Sequence, residues 1–305
     1  MKVIPFSNLL RSGFCPPYAR LIVACLFFPL IFLSCKKDKA VEISDLKFPL
    51  DTYYVPVGGE LSIDVQQGNQ KYTVSAKDDK LLQTTIQTAN PPAGNLRISG
   101  LKKGNTQLTV RDEVTGQSAV LQIHVVDPYL VLKAENSLIP YIEGANTDAD
   151  QSIRKKIRDD SQKFGNFQDG EFLILRNNAT QQFSTFKSEA DIARGIIDRS
   201  GTYHLKFDNN DSITLALTYD NREIAEFPIS ASSAAFPIFT DFSQEGRVGT
   251  QPFSPKDPYP HIYLIRDFTT YFQTMDTRIK QVKIYQSMDL FIGNRHLNFG
   301  KGILE

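Results

Sequence analysis

Three cysteines, four histidines and one short run of acids and amides are the residues here that offer reactive or metal-binding chemistry. Asp208-Asn209-Asn210-Asp211 carries the oxygen donors that calcium prefers. An EF-hand loop also needs glycine at its sixth position and glutamate at its twelfth. Ile213 and Tyr219 stand there instead, so the run reads as a polar hairpin turn, a geometry that Asn and Asp tolerate. His124, His204, His261 and His296 are scattered, and none belongs to an H-E-x-x-H pair. Neither a Gly-x-Ser-x-Gly elbow nor a phosphate-binding loop occurs. Carboxylate pairs for glycoside cleavage leave no motif, because two acids can meet from distant positions. The sequence therefore assigns no catalytic residue and no metal ligand, and it implies no cofactor.

The residues best suited to recognition lie in and just after a long proline-rich stretch, Ser243–Pro260. Phe253, Tyr259, His261 and Tyr263 sit among Pro252, Pro255, Pro258 and Pro260. Proline restricts the backbone, so aromatic rings there are presented at low entropic cost. These four residues form the candidate ligand-binding loop; the competing reading is that the rings pin the loop onto a core. The absence of tryptophan weakens the case for sugar stacking.

The cysteines point to an address. Met1–Ser34 contains Lys2, Arg11 and Arg20 but no acid, and Leu21–Leu33 is uncharged. A basic region followed by a short apolar core is the secretory-signal pattern. Thirteen residues of helix span about 20 Å, short of the roughly 30 Å hydrocarbon core of a membrane. Phe32-Leu33-Ser34-Cys35 resembles the lipobox of bacterial lipoproteins. Ile22-Val23-Ala24-Cys25 fits the four-residue pattern better, but only four apolar residues separate Cys25 from Arg20, too few for a signal core. The resemblance implies cleavage before Cys35, acylation of that residue and attachment to the envelope, most simply at the outer membrane. Cys35 would then be the sole cysteine of the mature chain, leaving no intramolecular disulfide. Losing Lys2, Arg11 and Arg20 from 34 basic and 34 acidic residues leaves a slight negative balance, which argues against nucleic acid as a partner.

These residues must be positioned by a largely β scaffold. Leu61–Val65, Tyr72–Ala76, Leu96–Ile98, Leu108–Val110 and Val120–Val125 alternate apolar and polar residues, with turn residues such as Gly58-Gly59 and Thr115-Gly116 between them. Period-two alternation at this spacing predicts a sandwich. Gly100-Leu101-Lys102-Lys103-Gly104-Asn105-Thr106-Gln107-Leu108-Thr109-Val110-Arg111-Asp112 resembles the core of bacterial Ig-like domains of the second group. That resemblance implies an Ig-like unit over residues 43–127, serving as a spacer, adhesion module or binding unit. The single histidine in it, His124, reads as a packed or edge residue.

Asp127-Pro128 marks the next boundary. Beyond it the pattern predicts a helix over Thr147–Lys163, capped by Asp148 or Asp150, with Ile153 and Ile157 on one face. A hairpin is expected from Phe172–Leu175 and Phe183–Phe186, a short helix after Ser188, and a meander from Thr202–Phe207, Ser212–Tyr219 and Glu223–Ser230. Ile262–Ile265, a helix over Asp267–Asp276, and strands at Val282–Tyr285 and Leu290–Ile292 complete it.

The fold class is mainly β: an N-terminal Ig-like β-sandwich followed by a β-rich α+β domain, with a small open barrel as one form of the latter. The segments are a lipoprotein signal peptide (1–34), a lipidated tether (35–42), the sandwich (43–127) and the C-terminal domain (128–305). The expected function is that of a lipid-anchored envelope protein without a catalytic role, whose spacer presents a glycan- or protein-binding domain. A structural scaffold of an envelope complex and, less favoured, a glycan-directed hydrolase are the alternatives.

Overall fold

The structure is a computed structural model that describes residues 43–88, 93–208, 212–231, 235–244, 261–291 and 297–305. Residues Ser44–Glu305 form one compact unit, and it is mainly β. None of the described helices is long and apolar enough to cross a membrane.

The first seven strands are β1 (Thr52–Pro56), β2 (Glu60–Asp64), β3 (Tyr72–Ala76), β4 (Leu82–Gln87), β5 (Asn95–Gly100), β6 (Gly104–Asp112) and β7 (Ser118–Val126). They form two sheets, β1-β7-β6-β3 and β2-β5-β4, with β1 parallel to β7 and every other pair antiparallel. The alternation read in the sequence is the cause. Ile63, Leu96, Ile98, Leu108, Val110, Leu121 and Ile123 point inward and are buried in one core between the sheets. Asp112 is buried at the end of β6 and ties the turns together. Its carboxylate accepts hydrogen bonds from Val114 N (2.9 Å), Asn69 N (2.9 Å) and Asn69 Nδ2 (2.8 Å). Burial by itself would raise the Asp112 pKa; the hydrogen bonds from Val114, Asn69 and Thr115 outweigh it and hold the group below its ordinary value.

The next eight strands are β8 (Tyr129–Glu143), β9 (Phe172–Arg176), β10 (Gln182–Phe186), β11 (Arg199–Asp208), β12 (Ser212–Tyr219), β13 (Ile224–Ala231), β14 (His261–Asp267) and β15 (Gln281–Phe291). Each pairs antiparallel with its neighbour in the chain, and β15 pairs back onto β8. The result is a closed up-and-down barrel, so the small barrel envisaged as open is sealed. Closure removes the two exposed edges an open sheet would leave. Gly201 permits it at one contact: a Cβ there would stand 2.1 Å from Thr218 O.

The helices are α1 (Thr147–Asp159), α2 (Ser161–Phe164), α3 (Glu189–Arg194), α4 (Phe236–Gln244) and α5 (Thr269–Gln273). Asn146, rather than Asp148 or Asp150, caps α1 by accepting from Ala149 N, while Ser188 caps α3 as its position suggested. The α4 helix overturns the expectation that a loop begins at Ser243, since Ser243 and Gln244 are its last residues. It packs Ile238, Phe239 and Phe242 into the barrel core beside Leu205, Leu215 and Leu264. Asn177 Nδ2, in the β9–β10 turn, donates to Phe242 O at 2.5 Å, which places α4 at the barrel end where β8 enters. The barrel is thus plugged by its own helix. At the opposite end β8 and β15 run on together, and α1, α2 and α5 pack Ile153, Ile157, Phe164 and Phe272 against Val282 and Ile284. The two closing strands expected at Val282–Tyr285 and Leu290–Ile292 are one continuous strand, β15, as far as it is described. The inward polar Gln286 had interrupted the apolar pattern.

The last residues, Leu297–Glu305, lie across the outer face of β8–β10. Leu297, Phe299, Ile303 and Leu304 are buried there with Val131, Phe172, Ile174, Phe186 and, from the sandwich, Tyr54 and Val126.

Candidate functional site

Lys133 is the last residue of β8 to pair with β9. Immediately beyond it the ladder to β15 slips: Ala134 faces Met288 and Leu138 faces Gln286, so Glu135, Asn136 and Ser137 stand opposite Ser287 alone. Such a bulge bends its strand, and here β8 turns away from β9. Pro140, which has no N–H to donate, sits on the stretch that lacks a strand on that side. Its carbonyl accepts from Arg154 Nη1 of α1 at 3.2 Å.

The departure leaves a groove between β8 and the α1–α2 segment. One lobe has a volume of about 270 Å³ and is lined by Glu135, Asn136, Ser161, Gln162, Gln168 and Asp169 over a base that includes Phe167 and Gln286. The adjoining lobe, about 450 Å³, shares Asn136, Leu138 and Ser161 and adds Ser137, Arg154 and Arg158. Gln286 fixes the base. Its Oε1 accepts from Asn166 N (2.7 Å) and Phe167 N (3.1 Å), and its Nε2 donates to Phe167 O (2.7 Å). Glu135 accepts from Ser287 Oγ at 2.6 Å. Arg154 is occupied by Asp150 (2.6 and 3.2 Å) as well as by Pro140 O. By contrast, the side chains of Asn136, Ser137, Ser161, Gln162, Gln168 and Asp169 have no hydrogen-bond partner among the described residues. The arrangement is a fixed base beneath a rim of uncommitted donors and acceptors.

Below this groove the barrel mouth carries an ion pair, Arg199 with the buried Glu171. The Arg199 guanidinium lies 5.6 Å from the Phe167 ring and 5.4 Å from that of Tyr219. Burial would lower its pKa, but the Glu171 carboxylate raises it further. The pair ties the residue just before β9 to the first residue of β11.

The outer face of β14, β15 and distal β8 presents a second feature. Ile139 pairs opposite Tyr285, and Tyr285 opposite Ile265, in one row across three strands. Tyr141 and Tyr263 flank it, with the Tyr263 and Tyr285 rings 6.4 Å apart. Ile139 and Tyr141 are each 47% exposed.

Of the sequence candidates, Cys35, Phe253 and Tyr259 lie outside the described residues. His261 opens β14 opposite Asp289, and Tyr263 stands on the outer wall just described, so both belong to the barrel ladder rather than to a loop. Asn209–Asp211 of the acid–amide run and His296 are also outside the described residues, and among those described no group of three or more His, Cys, Asp or Glu could hold a metal ion. His124 stacks on Tyr54 at 4.8 Å, and His204 is exposed on the outer wall of β11. Sequence reasoning missed the groove. Its one readable signal is Gln286, a polar residue at an inward position between Ile284 and Met288.

No protein-family model matches the chain, and no curated protein matches it. Among solved structures, domains 4 and 5 of the S-layer protein SbsC align with 27% of this chain at 12% identity and a TM-score of 0.22. The chain spans only 44% of that structure's length. SbsC domains 5–6 align over 72% of this chain and 89% of their own at 9% identity, with a TM-score of 0.24. Likeness at this level carries no argument about fold or function.

Proposed function

We propose that this chain is a lipid-anchored protein of the bacterial cell envelope, in which an Ig-like sandwich is a rigid spacer and the barrel a recognition head without a catalytic role. The observation that carries this reading is the seam closed by Leu297–Glu305. Phe299 packs edge-on against both Tyr54 of the sandwich (5.4 Å) and Tyr129 of the barrel (5.5 Å), and Tyr129 Oη donates to Tyr54 O at 3.1 Å. Glu305 approaches His124 Nδ1 at 3.9 Å. Sandwich and barrel are therefore held in one orientation, as a spacer requires. The Ig-like assignment is supported by the strand order: β6, β7 and β3 correspond to the F-G-C sheet and β2-β5-β4 to the B-E-D sheet, with the first strand paired beside the last. Leu138 is nine residues along β8 from Tyr129, about 30 Å of strand, so the groove lies towards the barrel end remote from the sandwich.

Attachment rests on Cys35. Cys35→Ser should move the protein from the membrane fraction to the soluble fraction and abolish incorporation of labelled palmitate. Membrane retention in that variant contradicts the anchor. The partner of the head is a glycan or an envelope protein. The Ile139–Tyr285 wall, which no described residue covers, favours a second reading, a scaffold within an envelope complex. Co-purification of one protein at fixed stoichiometry from detergent-solubilised envelopes would decide for the scaffold.

A further inference from the structure

We infer that the groove beside the β8 bulge is the ligand site of the head and that it takes a segment of a neutral glycan. This rests on the recognition reading above and adds the site and the ligand class. The chemistry of the lining selects the class. Asn136, Gln162 and Gln168 each offer a planar amide with donors and an acceptor, and Ser137 and Ser161 offer hydroxyls. Adjacent hydroxyls of a sugar ring match such groups in pairs, and the Asp169 carboxylate accepts from hydroxyls as a charge-assisted partner. All of these side chains are free of partners within the described structure, so binding breaks no internal hydrogen bond.

Other small-ligand classes fit less well. An apolar ligand finds Leu138, Ile157 and Phe167 only at the base, beneath a polar rim. An anion meets Glu135 and Asp169 in one lobe, while in the other Arg154 is already bound to Asp150 and Pro140 O, which leaves Arg158 as the single uncommitted cation of the described lining. Two connected lobes of about 270 and 450 Å³ suit a short run of sugar units rather than one. The base does not need to form on binding, because Gln286 already holds Asn166 and Phe167 in place.

The test uses the full chain in detergent and calorimetric titration with cellohexaose, laminarihexaose, maltohexaose and chitohexaose. At least one should bind the unmodified protein. The triple variant Asn136→Ala/Gln162→Ala/Gln168→Ala changes only exposed side chains, so its melting temperature should match the parent. Its affinity for the same hexasaccharide should fall about tenfold or more, the loss expected for several hydrogen bonds. Lys206→Ala, on the outer wall of β11, should bind normally. Undiminished binding by the triple variant overturns the groove as the site while leaving a glycan-recognising head. Failure of all four hexasaccharides overturns the glycan class. A peptide that binds and is displaced by the triple substitution would likewise overturn the class but keep both the site and the recognition reading.

Discussion

Val131, Phe172, Ile174 and Phe186 on the outer face of β8–β10 and Ile139, Tyr141, Tyr285, Ile265 and Tyr263 on the outer face of β14, β15 and distal β8 are both rows of large aromatic and branched side chains, the second differing by its tyrosine hydroxyls. Their fates differ. Phe172 and Phe186 are 2% and 0% exposed, whereas Ile139 and Tyr141 are each 47% exposed. The difference is the strap: Leu297, Phe299, Ile303 and Leu304 cover the first wall, and no described residue packs a comparable cluster over the second. A barrel is a single sheet whose inner face supplies its core, so an apolar outer face has to answer to something else. On the first wall it joins barrel to sandwich. On the second no described residue covers it.

The largest effect should come from removing the strap. Deleting Leu297–Glu305 forfeits about 2 kcal/mol of apolar burial for each of its four buried side chains, and it uncovers Tyr54 and Tyr129. Urea unfolding should then show the sandwich and barrel melting separately, and protease should cut near Asp127-Pro128. Phe299→Ala alone should cost about 3 kcal/mol. A single unaltered transition in the deletion would show that the walls are equivalent and that the strap is decoration.

The inner face of the same β15 strand gives the next effect. Gln286→Leu keeps the volume but leaves Asn166 N, Phe167 N and Phe167 O without partners, at a cost of about 2 kcal/mol. Thermal melting would measure it, and weakened binding in the groove should accompany it.

The covered wall also carries a pH signature. Burial pushes the Tyr129 hydroxyl up, with the neighbouring Tyr54 adding to the effect, and burial inside the barrel core pushes Tyr203 up as well. In the unfolded chain a tyrosine ionises near about 10. Below that pH both states hold the proton and stability is indifferent to it. Above it the unfolded chain releases the proton first, so stability falls as pH rises. Denaturation midpoints at pH 9 and pH 11 should show the fall, and spectroscopic titration of the strap deletion should find Tyr129 ionising closer to the ordinary range.

The smallest effect on stability belongs to the open wall. Tyr141→Ser/Tyr285→Ser should shift unfolding by about 0.5 kcal/mol or less per site. If the wall docks an envelope protein, the same pair of changes should remove that protein from the purified complex. A large loss of stability would mean that the wall is already covered within the chain.

Much of the scaffold was legible because alternation is a local property. Leu96–Ile98, Leu108–Val110 and Ser212–Tyr219 declare a buried face whatever lies opposite. The α4 helix was missed although Ala235, Ile238, Phe239 and Phe242 repeat at helical spacing, because it is short and runs directly into the proline-rich stretch that begins at Ser243. Of the groove, only Gln286 left a readable sign, a polar residue at an inward position of β15. The groove itself depends on Glu135–Ser137 facing Ser287 alone, and a register slip cannot be seen from one strand's own sequence.

The sequence by itself determined most of the strands and several of the turns and helices, since each follows from residues near one another in the chain. Only the tertiary structure decided that the sheet closes, that α4 plugs it, that one apolar wall is strapped, and that β8 parts from β9 to make a groove. These depend on which residues distant in sequence meet, and that choice is settled by competition for burial across the whole molecule rather than by any local pattern.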